Sequence, residues 1–437
     1  TVAGAATATI AGGKEVTVNA GTGAVSVVGN ALTGVTVKGG DLSAANAIDN
    51  SATGTTLKAV TLNQVDGVAN LRGNGIETVA IKGATAGVST VNVANTTANH
   101  TLNVNVEGTG YTTATPAVEA QTVVADAAAT TINVNGSGSK SSLALTGSTA
   151  VTTVNVTGAA ELKLGVDLGT IKTIDGSTAT GSLNLQNINA ATTTVKTGAG
   201  NDQFTLAASK VTAETGAGND SVTLNGAIAA GSSIKLGAGN DKLLATGTGS
   251  VAASTATATT TIDAGEGKDT VSAALINAAN AAQFVNFEEL DLSATANLDV
   301  ELMTASTIEG LTLTGGAGGA TVTNVAAGIG LTVSGSNAGT TTVGVKGATA
   351  AASTSDSFTT TFGGEAAAGA TAAAPTTIAA GTVVTNGVES LNVVSNGNGF
   401  VTNTLAVTDN ALQTLTITGD KGLALTFAGT NGTAPAD

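Results

Sequence analysis

At 437 residues the chain is long enough for two or three ordinary domains, but its composition is not that of an ordinary enzyme. Hydrophobic residues reach 42% and aromatic residues only 2%, so the core must be thin and built mainly from Ala, Val, Leu and Ile. The formal net charge of −15 argues against nucleic acid as a partner and favours cations.

Cysteine is absent, so disulfides cannot stabilise the fold, and metal ions are one candidate for that role. No apolar run reaches 18 residues, so we expect no transmembrane helix. The N-terminal stretch has no basic region followed by an apolar core, which is what a signal peptide requires. Because the chain begins with Thr and not Met, we expect it to be a fragment of something longer.

Residues 1–195 form the first of three blocks and predict many short strands. Apolar residues alternate with Thr or Asn in runs such as 16–18, 132–134 and 183–185, and Gly or Asn often follows. Alternation with a period of two is typical of strands with one buried face and one wet face. Val and Thr favour strands, and Gly and Asn supply the tight turns between them.

Residues 196–275 form the second block and repeat the motif Gly-x-Gly-x-Asp. The copies are TGAGNDQFTL from Thr197, TGAGNDSVTL from Thr215, LGAGNDKLLA from Leu236 and the divergent AGEGKDTVSA from Ala264. They begin 18, 21 and 28 residues apart in turn. An apolar residue stands two positions after each Asp, where it would start the inward face of the next strand: Phe204, Val222, Leu243 and Val271.

Residues 276–437 form the third block and return to plain strand repeats. Two stretches rich in Ala, Thr and Ser, residues 246–261 and 348–374, are expected to leave the repeat as loops. The interval 277–284 could form one short helix.

A second pattern, apolar-x-x-apolar-x-apolar, decides the predicted architecture. It occurs at residues 76–81, 287–292, 308–313 and 388–393, and the second and third copies lie 21 residues apart. A strand that recurs every ~18–24 residues leaves no room for a long helix, which is the spacing of a β-solenoid. The sequence therefore predicts an all-β chain of short parallel strands with loop excursions.

The Gly-x-Gly-x-Asp copies also predict a metal site. The two glycines let the backbone bend sharply and expose carbonyl oxygens, and the Asp adds a carboxylate at a fixed offset. Ca²⁺ takes about six to eight oxygen ligands, so two turns stacked in register are needed for one ion. The alternative is an Asn-Asp turn that caps a coil without metal. In the fourth copy Lys268 replaces Asn and should point outward, because a cation beside Ca²⁺ opposes binding.

Residues 196–275 resemble the RTX calcium β-roll, whose nonapeptide is G-G-x-G-x-D-x-U-x, with Thr, Leu or Ala replacing the first Gly here. The resemblance implies a right-handed parallel β-roll with Ca²⁺ as the bound ion. By the same resemblance the carboxylate ligands are Asp202, Asp220, Asp241 and Asp269. The turns, whose carbonyls complete each site, contain Gly198, Gly200, Gly216, Gly218, Gly237, Gly239, Gly265 and Gly267.

The whole chain is similar to RTX-type bacterial surface-layer (S-layer) proteins. The similarity lies in its acidic, cysteine-free composition rich in Thr, Ala, Gly and Val, its short RTX block and strands such as FEELDLSA. It implies type I secretion by an uncleaved C-terminal signal and self-assembly into a calcium-dependent lattice on the bacterial cell surface. It also implies a cell-surface polysaccharide as a partner, through a part outside this chain.

Other chemistry is poorly supported. His100 is the only histidine, which argues against Cys/His and Ser-His-Asp catalysis, and we expect it at a strand edge or in a loop. Glu288 and Glu289 are adjacent on a strand and should face opposite sides, so they cannot act together on one bond. Asp263 and Glu214 either add oxygens to a calcium site or lie on a solvated face.

The sequence thus predicts a secreted, non-enzymatic structural protein. Two alternatives remain open: an RTX adhesin or carbohydrate-binding stalk, and the noncatalytic part of a secreted polysaccharide-modifying enzyme.

Overall fold

The computed structural model of the chain describes residues 2–3, 13–65, 67–83, 90–110, 121–207, 210–348, 355–363, 377–397 and 401–427. The chain divides into two compact units, Thr1–Val222 and Thr223–Asp437. Parallel strands stack as a β-solenoid with about 17 turns in all and almost no helix, which confirms the predicted all-β solenoid class.

The first unit consists of short strands that alternate between two sheets. Its strands are β1 (Val2–Ala3), β2 (Glu15–Ala24), β3 (Val27–Val28), β4 (Gly34–Asp41), β5 (Ile48–Asp49), β6 (Ala59–Asn63), β7 (Val68–Arg72), β8 (Thr78–Lys82), β9 (Thr90–Ala94), β10 (His100–Glu107), β11 (Thr122–Ala125), β12 (Ala129–Gly136), β13 (Ser141–Ala144), β14 (Thr153–Gly158), β15 (Leu162–Gly165), β16 (Thr173–Asp175), β17 (Leu183–Gln186), β18 (Thr194–Lys196), β19 (Gln203–Leu206) and β20 (Thr212–Glu214). Even-numbered strands form one parallel sheet, and odd-numbered strands from β3 form the other. Each coil therefore gives one strand to each sheet.

The second unit follows the same plan over a longer repeat. Strand β21 (Ser221–Leu224) contains the boundary between the units. After it come β22 (Ala227–Ile228), β23 (Ser233–Ala238), β24 (Lys242–Ala245), β25 (Ser250–Val251), β26 (Thr261–Glu266), β27 (Thr270–Ser272), β28 (Phe284–Val285), β29 (Glu289–Asp291), β30 (Ala296–Asp299), β31 (Gly310–Leu313), β32 (Ala320–Val325), β33 (Leu331–Val333), β34 (Thr340–Val345), β35 (Ser357–Phe362), β36 (Ala379–Val384), β37 (Ser390–Ser395), β38 (Thr402–Thr408), β39 (Thr414–Thr418) and β40 (Gly422–Phe427).

Within the second unit, one parallel sheet runs from β24 through β27 and the odd-numbered strands β29 to β39. Even-numbered strands β30 to β40 form a six-stranded parallel sheet, and β23, β26 and β28 form a further parallel row. Three-residue 3₁₀ turns lie at Ala273–Leu275, Ala281–Gln283 and Val300–Leu302. No helix of the described residues is long and apolar enough to cross a membrane.

The core is a set of apolar stacks that run from coil to coil. Val154, Ile174 and Val195 are register partners in β14, β16 and β18, and each is fully buried. Burying one such side chain contributes about 1.5–3 kcal/mol, so many small residues together replace the missing aromatic core. The period-two alternation predicted from the sequence is the cause, because it sends every second residue inward.

The outward residues also stack. Asn133 donates its side-chain N–H to Asn103 Oδ1 at 2.8 Å, and Asn155 donates to Asn133 Oδ1 at 2.8 Å. These residues are register partners in β10, β12 and β14. Hydrogen bonding between identical amides explains why Asn, a poor strand former, occurs so often in these strands.

The predicted excursions are partly wrong. Residues 246–260 do leave the main sheets, and within them the two-residue strand β25 pairs only with β22. Thr261, the last residue of the predicted loop, instead begins β26. The stretch 348–374 contains β35, which pairs in parallel with β33 and β37, so that part is not a loop. The reason is local alternation: Phe358, Thr360 and Phe362 all face inward and are buried. Residues 349–354 and 364–376 lie outside the described residues.

The predicted short helix over 277–284 is wrong in extent. Only the three residues Ala281–Gln283 are helical, in a 3₁₀ turn. Asn280 precedes that turn and is buried, and its side chain donates to the carbonyls of Val251 at 2.8 Å and Leu275 at 3.0 Å. These tertiary bonds fix an irregular corner where the local composition favours a helix.

Stacked glycines set how closely the coils approach at one corner. Gly267 has φ +142°, and a Cβ on it would lie 1.9 Å from the Gly239 carbonyl oxygen. Gly328 also has a positive φ, +89°, but a Cβ on it would meet nothing within 4 Å. Only the first position therefore requires Gly for space as well as for backbone conformation.

We predict that Gly267→Ala destabilises the second unit more than Gly328→Ala. Both changes should cost about 1–2 kcal/mol because L-residues resist this backbone conformation. Gly267→Ala should lose a further 1–3 kcal/mol or so, because backbone atoms of the neighbouring coil must move. Urea unfolding of the two variants measures the difference, and equal losses would contradict the role assigned to coil contact.

Candidate calcium-binding turns

Each of the four predicted aspartates lies at a coil corner, directly before a strand. Asp202 precedes β19, Asp220 precedes β21, Asp241 precedes β24 and Asp269 precedes β27. All four side chains are buried, with at most 1% of the residue exposed. In each strand every second side chain faces inward, and the aspartate before the strand continues this alternation, as Asp202, Phe204 and Leu206 show. This burial was not predicted from the sequence.

The buried carboxylates form hydrogen bonds to the coil before them. In the first unit, Asp202 Oδ1 accepts from the Leu183 N–H at 2.7 Å, and Asp220 Oδ1 accepts from the Asp202 N–H at 2.7 Å. In the second unit, Asp269 Oδ1 accepts from the Asp241 N–H at 2.7 Å. One oxygen of each of these carboxylates thus accepts a hydrogen bond from a backbone N–H that is not used in the hydrogen bonding of the sheet.

In two of the copies, the asparagine before the aspartate accepts a hydrogen bond from the following coil, which is the opposite direction. Asn201 Oδ1 accepts from the Asn219 N–H at 2.8 Å, and Asn240 Oδ1 accepts from the Lys268 N–H at 3.0 Å. The side chain of Lys268 is 52% exposed and its Nζ lies 2.5 Å from Glu289 Oε1. The prediction that Lys268 points outward is confirmed.

The turn glycines do not all share one conformation. Gly216, Gly218, Gly237 and Gly239 have positive φ angles, as do Gly265 and Gly267. Gly198 and Gly200 in the first copy lie outside that region, although both approach the backbone of the preceding coil closely. In this first copy the Gly198 N–H also donates to Asp202 Oδ2 at 3.2 Å, so both oxygens of Asp202 accept backbone hydrogen bonds.

Asp269 is a buried carboxylate with one oxygen, Oδ2, that has no hydrogen-bond partner. Its pKa is raised to about 6, mainly by burial and also by the negative charges of Glu288 and Asp263, while the hydrogen bond from the Asp241 N–H opposes the rise. Burial also raises the pKa of Asp202. A buried, ionised carboxylate is stabilised by a proton or by a cation, so Ca²⁺ fits the donor chemistry of these turns.

Side chains alone would not complete a calcium site. Within the ranges that the structure describes, no group of three or more Asp, Glu or His side chains is arranged to hold a metal ion. Backbone carbonyl oxygens of the glycine turns would have to supply most of the ligands, as the sequence predicts.

The structure gives the two additional acidic candidates, Asp263 and Glu214, different environments. Asp263, on β26, accepts a hydrogen bond from the Asn286 side chain at 2.9 Å and acts electrostatically on Asp269. Glu214, on β20, lies 2.9 Å from Lys196 Nζ in a partly exposed ion pair. The second arrangement favours a solvated role for Glu214.

Sequence reasoning missed Glu288 as a member of the carboxylate series. Glu288 Oε2 accepts from the Asp269 N–H at 2.9 Å, as an aspartate does at the earlier corners. Glu389 repeats the arrangement, since its Oε2 accepts from the Asp356 N–H at 2.9 Å. Both glutamates follow the first apolar residue of the apolar-x-x-apolar-x-apolar pattern, which is the signal that could have identified them.

His100 begins β10 and forms a polar link between coils. Its Nε2 lies 2.9 Å from Asp126 Oδ2, and its Nδ1 lies 2.6 Å from the Thr97 carbonyl oxygen. Asp126 is fully buried and also accepts from the N–H groups of Ala128 and Ala129. This arrangement satisfies a buried carboxylate, which is a structural role.

The comparisons with known proteins do not extend this description. The sequence matches no protein-family model, and no curated protein is significantly similar to it. The fold class is therefore established by the structure, as a parallel β-solenoid.

We predict that Asp269→Asn removes a pH-dependent loss of stability in the calcium-free protein. The raised pKa means that Asp269 contributes stability below its unfolded pKa of 3.8 and loses it as pH rises through about 6. The difference corresponds to about 2 kcal/mol between pH 4 and pH 7.5. Urea unfolding in chelator across that range measures it.

Asp420→Asn is the control for that measurement. Asp420 is an exposed aspartate whose pKa is lowered by Lys421, so its removal should change stability slightly and in the opposite direction. A parallel pH dependence for wild-type protein and Asp269→Asn would contradict the burial of an ionised Asp269.

We also predict that His100→Ala destabilises the first unit by about 1–3 kcal/mol, because Asp126 loses a partner while it stays buried. His100→Ala combined with Asp126→Ala should be less destabilising than the sum of the two single changes. Thermal or urea unfolding checks this, and simple additivity would show that the two residues do not interact.

Proposed function

We propose that the chain is a secreted structural protein of the RTX surface-layer type, which folds with calcium and assembles with further copies of itself on a bacterial cell surface. The observation that carries the proposal is the buried Asp269 carboxylate, whose Oδ2 has no partner at a stacked Gly-x-Gly-x-Asp corner. The negative charge of such a site is not compensated without a cation, and its oxygen atoms are suitable ligands for one.

The chain supplies the parts of a calcium site in each unit. Asp202 and Asp220 face adjacent corners of the first unit, and Asp241 and Asp269 do so in the second. The glycines let the backbones of the two turns in a pair approach closely, and the carbonyl oxygens of these turns would be the further ligands. Bound calcium would supply the positive charge that offsets their desolvation. Its binding free energy would then add to the free energy of folding.

Charge explains why folding would follow secretion. The second unit carries 16 acidic and five basic residues over 223–437, so it repels itself when no counter-ion is bound. Where calcium is scarce, the corner carboxylates disfavour stacking of the coils. In a calcium-rich medium outside the cell the same carboxylates become ligands, so one sequence stays loose during export and becomes ordered afterwards.

We predict that chelator loosens the Gly-Asp corners selectively. Hydrogen exchange should become faster in 197–207 and 210–224, and in 236–272, when calcium is removed. The Asn-stacked strands at 131–158 have no such corners and should change little. A double variant, Asp220→Asn with Asp269→Asn, can keep the backbone hydrogen bond that each Oδ1 accepts and should lose most of the calcium response, whereas Asp420→Asn should retain it. Equal exchange with and without calcium in the wild-type protein would overturn the calcium proposal.

Assembly is tested on the same protein by electron microscopy. Millimolar Ca²⁺ should give ordered sheets, and chelator or the same concentration of Mg²⁺ should not, because Mg²⁺ demands a smaller octahedral site. Soluble monomers at saturating calcium would contradict the lattice and favour a binding stalk.

A further inference from the structure

The fourth Gly-Asp corner opens a strongly acidic part of the second unit. Between residues 263 and 309 the chain contains nine acidic residues and one basic residue, Lys268. Lys268 is exposed and forms its ion pair with Glu289. The one local side-chain cation is therefore engaged on the outer surface and does not compensate the buried charge.

The next coil places a second carboxylate at the backbone of Asp269. Glu288 Oε2 accepts from the Asp269 N–H at 2.9 Å, and the Glu288 N–H donates to the Asp269 carbonyl at 3.1 Å. The Asp269 carboxylate, on the same residue, is fully buried and its Oδ2 has no hydrogen-bond partner. The Glu288 carboxylate therefore lies at the backbone of Asp269, while the Asp269 carboxylate bonds back to Asp241 on the preceding coil.

Other negative charges act on this pair from both sides. Asp263 on β26 acts on Asp269, and Glu309 from the following coil acts on Glu288. Among the described residues, no ion pair is formed by Asp269 or Glu288. The pair thus combines two like charges, partial burial and carbonyl oxygens of the turn, which together favour a hard divalent cation.

We propose that Asp269 and Glu288 bind one Ca²⁺ ion together, at the end of the Gly-Asp corners and with a ligand from outside the motif. The inference rests on the proposed calcium function and deepens it. Asp269 Oδ2 has no hydrogen-bond partner at this corner. It and the Glu288 carboxylate are the charged ligands, and turn carbonyls and water supply the rest of about six to eight ligands.

Glu389 provides a matched structural comparison within the same unit. Its Oε2 accepts from the Asp356 N–H at 2.9 Å, in the same geometry as Glu288 on Asp269. However, Asp356 is half-buried and not fully buried, so Glu389 faces no enclosed carboxylate. If Glu288 only accepts a backbone hydrogen bond, its replacement should affect calcium binding no more than replacement of Glu389. If Glu288 is a calcium ligand, its replacement should weaken calcium binding.

The test compares Glu288→Gln with Glu389→Gln in the full chain, with CaCl₂ alone as the probe. Calorimetry and native mass spectrometry measure the affinity and the number of ions. Glu288→Gln should lose one ion, or weaken one binding step about tenfold or more, because a charged ligand becomes neutral. Glu389→Gln should bind calcium like the wild type.

Urea unfolding in chelator distinguishes the loss of a calcium ligand from a loss of folding stability. Glutamine keeps an oxygen for the Asp269 N–H, so Glu288→Gln should unfold in chelator at the same or a higher urea concentration than the wild type. Asp269→Asn should lose the same ion and also weaken the site that Asp269 shares with Asp241, and adding Glu288→Gln to it should remove no further ion. An unchanged number and affinity of ions in Glu288→Gln would overturn this inference while calcium binding stands. If the wild-type protein binds no calcium, the proposed function fails as well.

Discussion

The structure depends on the parallel hydrogen-bond register between successive coils. Once β14, β16 and β18 align, each side chain lies on the equivalent side chain of the next coil. Apolar residues then form continuous buried stacks, and Asn residues form continuous hydrogen-bonded rows. The same register places an aspartate under an aspartate, so the core, the outer surface and the candidate ion sites all follow from one alignment.

The register also explains why a corner carboxylate can accept a hydrogen bond from a neighbouring coil and does not depend on a donor in its own turn. In each described pair the acceptor is a side chain and the donor is the backbone N–H directly before it in the stack, as for Asp220 and Asp202. A neutral amide could fill that role. A carboxylate adds a buried charge that the protein itself leaves uncompensated at Asp269, and that excess connects the fold to a cation.

Much of the fold was predictable from the sequence because its signal is local. Alternation identifies strands such as β12 and β14, and the repeated motif identifies all four aspartates as residues of equivalent corners. Strand β35 was missed because Ala-rich flanking sequence concealed the alternation of SFTTTF. The place of Glu288 was missed because it depends on a coil 19 residues earlier, and the link between His100 and Asp126 spans 26 residues.

The two rows of corner hydrogen bonds run in opposite directions. An aspartate bonds back to the previous coil, whereas the asparagine beside it receives from the following coil. The corner of Asn201 and Asp202 is thus hydrogen-bonded to the coils on both sides through one short motif. Duplicating the segment that encodes one such coil would add a coil whose contacts with its neighbours are of the same kind. The length of this protein can therefore change during evolution without requiring a new type of interaction.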